Sequence, residues 1–410
     1  MKSLLYIGSG APWAGGAGYL IRQRMFLRAL AQVAELHLAM FDAPADAEAS
    51  VPSYVKTLTP LPRVSRKMEE GLGRLCADFL SPTPRMFRGP RPAAARKVVA
   101  NLHPENFDAV FAFRIDFAHF AGVLNHPRLL LDIDDPEHLR WRRQLAATTQ
   151  TGGDWRTLRD LGKLARFEKR AAAGAVASFV CQEHDRAAFN PPPVVVPNCV
   201  DVPAICPPRN AEKPRIIFLG NFAAASPNLD GLNWVLDEIW PLIRALVADC
   251  ELHIVGRVNE QMQQRIGEID GAVARGFVEN LPAAMAEASL SIAPIRFGTG
   301  TRVKIIESFA LGCPVVSTTL GAEGIDARAG EQILLGDTPA DFATQCVKLL
   351  RDRDAQARIA AGGYALAASR YSEEARRPEL AATLADLLAR CGGDSATPPM
   401  RTAPRQIAAL

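Results

Sequence analysis

The sequence predicts an α/β protein with two parallel-sheet domains, and three observations carry that expectation. Short apolar runs of strand length alternate with amphipathic stretches along the chain, the order that places helices between parallel strands. A proline cluster, Pro191-Pro-Pro193, Pro197, Pro203 and Pro207-Pro208, interrupts the alternation near the middle, and proline breaks both helices and interior strands. With 410 residues, 48% of them apolar and 22% charged, there is material for two substantial cores and too much apolar content for general disorder.

In the first half, strands are expected near Ser3 to Ile7, Glu35 to Met40, Ala109 to Phe113, Leu129 to Ile133, Ala177 to Cys181 and Val194 to Val196, with helices near Tyr19 to Gln32 and Leu158 to Ala173. The proline cluster marks a boundary and a hinge. The second half restarts at Pro214 with a strand over Arg215 to Leu219. A helix over Leu229 to Ala248 and strands over Glu251 to Val255, Leu290 to Ile295, Pro314 to Thr318 and Ile333 to Leu335 follow. Glu373 to Cys391 reads as a terminal helix. From Gly392, Gly, Ser, Thr and Pro dominate without periodicity, so residues 392–410 are expected to be a disordered tail.

The net charge of +3 is unevenly shared: residues 1–200 hold 26 Lys+Arg against 19 Asp+Glu. Within them, Arg63 to Lys97 carries nine basic and three acidic residues interleaved with apolar ones. That segment is either a surface for an anionic membrane or acidic acceptor, or a solvated arginine-rich face. Eight cysteines lie scattered without CxxC or Cys/His pairing, which argues against zinc, iron-sulfur and disulfide frameworks. Lys2 to Ile7 is too short for a signal-peptide core or a membrane span, so a cytoplasmic location is expected, with peripheral contact at the inner membrane face as an extension.

The densest chemical signal is Arg296-Phe-Gly-Thr-Gly-Thr-Arg-Val-Lys-Ile-Ile-Glu307, where a strand enters a glycine loop that opens a helix near Thr301. Gly298 and Gly300 let the main chain approach a ligand, and the first N–H groups of the helix point at an anion. Gly300, Lys304 and Glu307 lie at i, i+4 and i+7 and share one face. Lys304 can therefore meet phosphate. Glu307 sits five residues past Arg302, roughly 7 to 8 Å along the axis, which is about the step from a diphosphate to a ribose diol. Arg302 points away from Glu307 and ranks below Lys304 as a phosphate ligand.

At these residues the chain resembles the retaining GT-B glycosyltransferases of sequence family 4, the glycosyl transferases group 1. Gly220-Asn-Phe222 with Pro227 to Trp234, and Leu252 to Gly256 leading to Gly276-Phe-Val-Glu-Asn280, share the family's pattern. Val196-Pro-Asn-Cys-Val-Asp201 is similar to its interdomain segment. The likeness is dense from Val194 to Ile325 and looser before it, where Asp132-Ile-Asp-Asp135 and Arg166-Phe-Glu-Lys169 also fit. It implies a GT-B fold, two Rossmann-like doubly wound domains facing across a cleft. Residues 1–200 would form the acceptor side and 201–372 the nucleotide-sugar domain, with the helix 373–391 crossing back to the first domain.

The resemblance implies donor binding by Gly298, Thr299, Gly300, Thr301, Glu307, Gly220, Asn221, Phe277 and Val278, with Lys304 and Arg302 neutralising the departing diphosphate. Two departures matter. The family's Glu-x7-Glu pattern would place its first acid where Thr299 stands, and Ala223-Ala-Ala-Ser226 occupies a stretch where many relatives carry Arg or Lys. Cys199 replaces a customary Gly without an assigned role.

In the first domain the loop with Gly15, Gly16 and Gly18 follows a strand and precedes a helix. It is not a GxGxxG, and it either borders donor phosphates and acceptor, as in the family, or is a structural turn. Asp132-Ile-Asp134-Asp135 superficially matches the DxD of metal-dependent transferases. That reading is rejected, because the phosphate already has a glycine loop, helix terminus and lysine in the other domain. Asp134 or Asp135 would orient an acceptor hydroxyl, or else cap the helix starting at Pro136. Glu168 and His138 are cleft candidates or satisfied structural residues, and Asn198 and Asp201 set the interdomain turn.

The expected function is transfer of a sugar from a UDP- or GDP-sugar to a hydroxyl of a glycan or lipid-linked acceptor, with retention, in cell-surface polysaccharide or glycolipid synthesis. No cofactor, metal or nucleic acid is expected. The alternatives are a sugar-nucleotide epimerase of the same fold and a catalytically silent sugar-nucleotide-binding partner subunit.

Overall fold

The computed structural model describes residues 1–14, 18–44, 47–63, 81–88, 92–148, 155–222, 226–298 and 302–391. The expected tail over 392–410, Cys76, Ala223 to Ala225 and much of the basic Arg63 to Lys97 segment lie outside the described residues. The chain divides into two compact units, Met1–Asn198 with the stretch from Arg377 onward, and Cys199–Arg376.

The first unit holds a seven-stranded, wholly parallel sheet of β1 (Lys2–Ser9), β2 (Ala34–Phe41), β3 (Val55–Leu61), β4 (Ala109–Phe113), β5 (Leu129–Asp134), β6 (Ala177–Val180) and β7 (Val194–Val195), in the order β3-β2-β1-β4-β5-β6-β7. Every residue of β4 is buried, as befits a central parallel strand covered on both faces. On one face Tyr6 stacks on Phe111 at 5.2 Å, and Phe26 of helix α1 (Gly18–Leu30) meets Phe111 and Phe179 at 5.0 and 5.3 Å. Burying one such ring contributes about 1.5–3 kcal/mol. The other face gathers Leu5, Ile7, Val110, Leu129 and Leu131 with Leu164, Ala171 and Ala172 of helix α3 (Trp155–Gly174), which follows helix α2 (Glu137–Thr148) in the chain.

The second unit repeats the plan with six parallel strands, β8 (Arg215–Leu219), β9 (Glu251–Val255), β10 (Ala272–Gly276), β11 (Leu290–Ala293), β12 (Val315–Ser317) and β13 (Leu334–Leu335), ordered β10-β9-β8-β11-β12-β13. Ile216, Phe218, Leu252, Ile254 and Ile292 face a core with Trp234, Ile239 and Phe342, while Ile217, Leu219 and Val255 face Met285 and Cys313. In both sheets the strand order reverses beside the first strand, between β1 and β4 and between β8 and β11. Doubly wound sheets bind ligands outside the carboxyl ends of the strands at such a point.

The expected single helix over Leu229 to Ala248 divides into α4 (Pro227–Trp234), a π turn over Val235–Ile239 and a last segment Trp240–Leu246. Pro241 has no N–H to give and its ring would strike the carbonyl one turn back, and the wider turn relieves both. Two strands absent from the sequence reading, β3 and β10, are edge strands with half-exposed, partly polar residues. The site helix α5 spans Val303–Ala310, opening two residues later than expected. Helix α6 (Arg353–Arg370) packs on it so closely that a Cβ at Gly363 would lie 2.6 Å from Phe309. In the terminal helix α7 (Glu373–Cys391), Leu380, Leu384, Leu387 and Leu388 are buried, and Lys2 donates to the carbonyl of Leu388. The described cysteines are all free, and only Cys206 is exposed.

Candidate functional site

At the carboxyl edge of the second sheet, four neighbouring strands each end on or near a glycine: Gly276 after β10, Gly256 after β9, Gly220 after β8 and Gly298 after β11. Gly256 has φ 129°, and a Cβ there would lie 1.7 Å from the carbonyl oxygen of Gly220. Only glycine lets these strand exits sit so close. Gly298 has φ 112°, and a Cβ there would press at 3.1 Å on both the Arg302 guanidinium and the Pro227 ring. Glycine at these exits lets neighbouring main chain and the side chains of Phe222, Asn228, Arg302 and Pro227 pack closely along the switch point.

Two helix starts close on that edge. Ser226 caps α4 by accepting from the Leu229 N–H at 3.2 Å and donates to the Asn221 carbonyl at 3.2 Å. A Cβ at Gly231 would meet the Pro294 carbonyl oxygen at 2.3 Å, so α4 lies against the exit of β11. Arg296 on that exit makes a two-point ion pair with Asp230 at 2.7 and 2.9 Å and lies over the Trp234 ring at 5.3 Å. The second start is that of α5. Ile305, Ile306, Phe309 and Ala310 are buried and hold the helix, which aims its amino end at the glycine edge.

Lys304, in the first turn of α5, donates to the side-chain oxygen of Asn228 in the first turn of α4 and lies 5.4 Å above the Phe218 ring. Burial, reinforced by Arg302 and opposed by Glu307, pushes the Lys304 ammonium down to about 7. A lysine so poised gains most from an anion. Glu307 is half-buried one turn along the same helix.

Residues 213–352 match the family Glycosyl transferases group 1. The second unit carries a glycosyl transferases group 1 domain. A mannosyltransferase acting on phosphatidyl-myo-inositol, by its name, from Mycobacterium leprae is 28% identical over 222 residues, 51% of this chain and 58% of the relative. A 44.6 kDa protein of the cps region of Klebsiella pneumoniae is 25% identical over 168 residues, 39% of this chain and 43% of the relative. The matches thus span about half the length of these relatives. Among solved structures, a sucrose-phosphate synthase from Thermosynechococcus elongatus superposes with a TM-score of 0.67 at 14% identity, over 95% of this chain and 100% of its own. The Anabaena protein HepE in complex with UDP-glucose superposes with a TM-score of 0.61 at 18% identity, over 94% and 100%. The fold is GT-B, with two Rossmann-like α/β domains.

Within the group 1 domain, Gly298, Arg302, Lys304 and Glu307 share one loop and helix, and Gly220 and Asn221 stand at the neighbouring strand exit. Thr299, Gly300 and Thr301 lie outside the described residues. Phe277, just past β10, is 73% exposed at the sheet edge, whereas Val278 packs half-buried among Leu219, Val255 and Met285. The Asn280 side chain caps the helix Leu281–Ala286 by accepting from the Ala283 N–H at 3.0 Å. Asn228, the partner of Lys304, was not singled out from the sequence. Its position inside the Pro227 to Trp234 motif was the available signal.

In the first unit, Gly15 and Gly16 lie outside the described residues, and Gly18 opens α1. That helix inserts Arg22, 1% exposed, which pairs with Asp132 through two bonds of 2.7 and 2.8 Å, and reaches Asp134 at 3.3 Å. Arg22 also donates to the Val196 carbonyl at 2.8 Å and the Asn198 side chain at 3.0 Å, so Asn198 serves the Arg22 cluster. Asp134 has φ 62°, a strained left-handed conformation for this residue. Burial and then Asp135 push its carboxyl up to about 8. The Cys181 thiol donates to Asp135 at 3.1 Å, and Asp134, Asp135 and Cys181 bring ligand-type atoms within 4.8 Å of one another.

Glu168 is buried and accepts from the main-chain N–H groups of Glu137 at 2.9 Å and His138 at 3.2 Å, and pairs with the His138 ring. It thus secures the start of α2. A carboxylate there complements the positive end of the helix.

Proposed function

We propose that this chain is a retaining, metal-independent GT-B glycosyltransferase that moves a sugar from a UDP- or GDP-sugar to an acceptor hydroxyl in cell-surface polysaccharide or glycolipid synthesis. The observation that carries the proposal is Lys304, depressed to about 7 at the start of α5 beside Gly298 and the Gly220 strand exit. A helix terminus and a cation beside two glycine strand exits are the combination that suits a diphosphate.

In this reading Lys304 and Arg302 offset charge on the departing diphosphate, and Thr299, Gly300 and Thr301 belong to the donor-binding set. Glu307 accepts from the ribose hydroxyls. Phe277 and Val278 flank the base, and the exposed Phe277 ring offers it a face. The sugar C1–O bond to phosphate breaks, a C1–O bond to the acceptor forms on the same face, and the acceptor proton passes to the leaving phosphate. A dedicated base is then unnecessary. Asp134 or Asp135 orients the acceptor hydroxyl. Reaction on the cytoplasmic side, with peripheral contact to an anionic membrane through Arg63 to Lys97, belongs to the same proposal. No described helix is long and apolar enough to cross a membrane.

Thr299 in place of the family's first acid favours a second reading, a silent sugar-nucleotide-binding subunit. A panel of UDP- and GDP-sugars, incubated with and without a cell-envelope acceptor fraction, separates the two. Acceptor-dependent release of nucleoside diphosphate, with a product of the donor's anomeric configuration, is the expected result. Altered donor without acceptor means an epimerase, and binding without any turnover means the silent subunit.

A further inference from the structure

On one face of α3, Arg159, Lys163, Arg166 and Arg170 recur at i, i+4, i+7 and i+11, forming one cationic stripe opposite the buried Leu164, Glu168 and Ala172. All four line a cavity of about 600 Å³, joined by the polar groups of Thr83 and Asn125. No carboxylate is among its described lining residues. Lys163 is 5% exposed, so part of the stripe is withdrawn from bulk water, where charge is less screened.

The cavity reaches Asn125, just before β5, and Gly174, just before β6, which is the amino-terminal edge of the sheet. The acceptor-side residues Asp134 and Gly18 belong to the opposite, carboxyl-terminal edge. The volume suits a phosphorylated group of modest size.

We propose that this cavity is a binding site for a phosphate-bearing anion, held in charge-assisted bonds by Arg166 and Arg170, whose planar forks match phosphate oxygens. The phosphate belongs either to a soluble ligand or to a lipid headgroup. Trp155, 61% exposed one turn before Arg159, would meet the acyl boundary in the second case.

The test uses the full chain and the double variant Arg166→Gln/Arg170→Gln. Both arginines are exposed, so an unchanged Tm is expected. Pyrophosphate is titrated at low salt, and sedimentation is measured with vesicles of phosphatidylglycerol in phosphatidylcholine and of phosphatidylcholine alone. The double variant should lose about tenfold or more in whichever arm the wild type binds. A response to pyrophosphate assigns a soluble ligand, and selective sedimentation with anionic vesicles alone assigns a headgroup. The proposal is overturned if the wild type binds neither probe or the double variant binds as the wild type does. Pyrophosphate binding that Lys304→Ala abolishes and the double variant keeps belongs to the second unit, and with no anionic-vesicle binding it also overturns the proposal.

Discussion

The ammonium of Lys304 donates to the side-chain oxygen of Asn228, joining the first turns of two helices that follow different strands of the second sheet. The bond fixes a cation over the carboxyl edge at the place where the strand order reverses. Replacing Lys304 by Ala should depress turnover more than donor affinity, because leaving-group charge grows toward the transition state. Parallel measurement of kcat and donor Kd checks this, and equal losses in both would argue for uniform binding instead.

The depressed Lys304 also predicts proton uptake. With its ammonium at about 7 in the free protein, a bound diphosphate should favour the charged form and draw up to about one proton near pH 8. Calorimetric enthalpies in buffers of different ionisation heat report that uptake, and Lys304→Met should abolish it. The sign for stability follows from the same shift. A lysine held below its ordinary value makes the folded state bind fewer protons between about 7 and 10.5, so this residue's cost falls as pH rises through that window. Lys304→Met should therefore raise Tm more at pH 6.5 than at pH 10.

Glu307→Gln should weaken nucleotide-sugar binding by about 1.5–3 kcal/mol through lost charge-assisted bonds to the ribose, with the fold intact. Unaltered affinity in a folded variant would remove Glu307 from the donor site.

Gly256→Ala should be severe for a structural reason. The added Cβ would lie 1.7 Å from the Gly220 carbonyl oxygen at φ 129°, so the two strand exits must separate. A loss of roughly 2–4 kcal/mol is expected in denaturant unfolding. A Gly267→Ala control, where nothing lies within 4 Å, should cost nothing comparable.

Metal removal tests the place given to the Asp134, Asp135 and Cys181 cluster. Activity should persist in chelator. A strict Mn2+ or Mg2+ requirement that Asp134→Ala eliminates would revive the metal reading of that sequence.

Much of the fold was legible because the central strands are continuous apolar runs buried on both faces, as in β4. The edges were not. Val55–Leu61 mixes Lys, Thr and Pro, and Ala272–Gly276 is half-exposed, because an edge strand needs less apolar surface. The strand Leu290–Ala293 and the helix Val303–Ala310 were readable because their logic is local, an apolar run and then an amphipathic one. Partners brought together by the sheets were not readable in the same way: Lys304 and Asn228 are 76 residues apart, and Arg22 and Asp132 are 110 apart. For Glu168 the sequence leaves a cleft role and a structural role open for the same reason, since the N–H groups it caps lie on a separate helix.

The most direct test is calorimetric titration of UDP- and GDP-sugars into the full chain, its Lys304→Ala variant and its Glu307→Gln variant. One nucleotide class should saturate a single site in the wild type, with affinity clearly weakened by Glu307→Gln and proton uptake lost in Lys304→Ala. Binding of none of these donors, or identical binding by all three proteins, would contradict the assignment of the second unit as a nucleotide-sugar site.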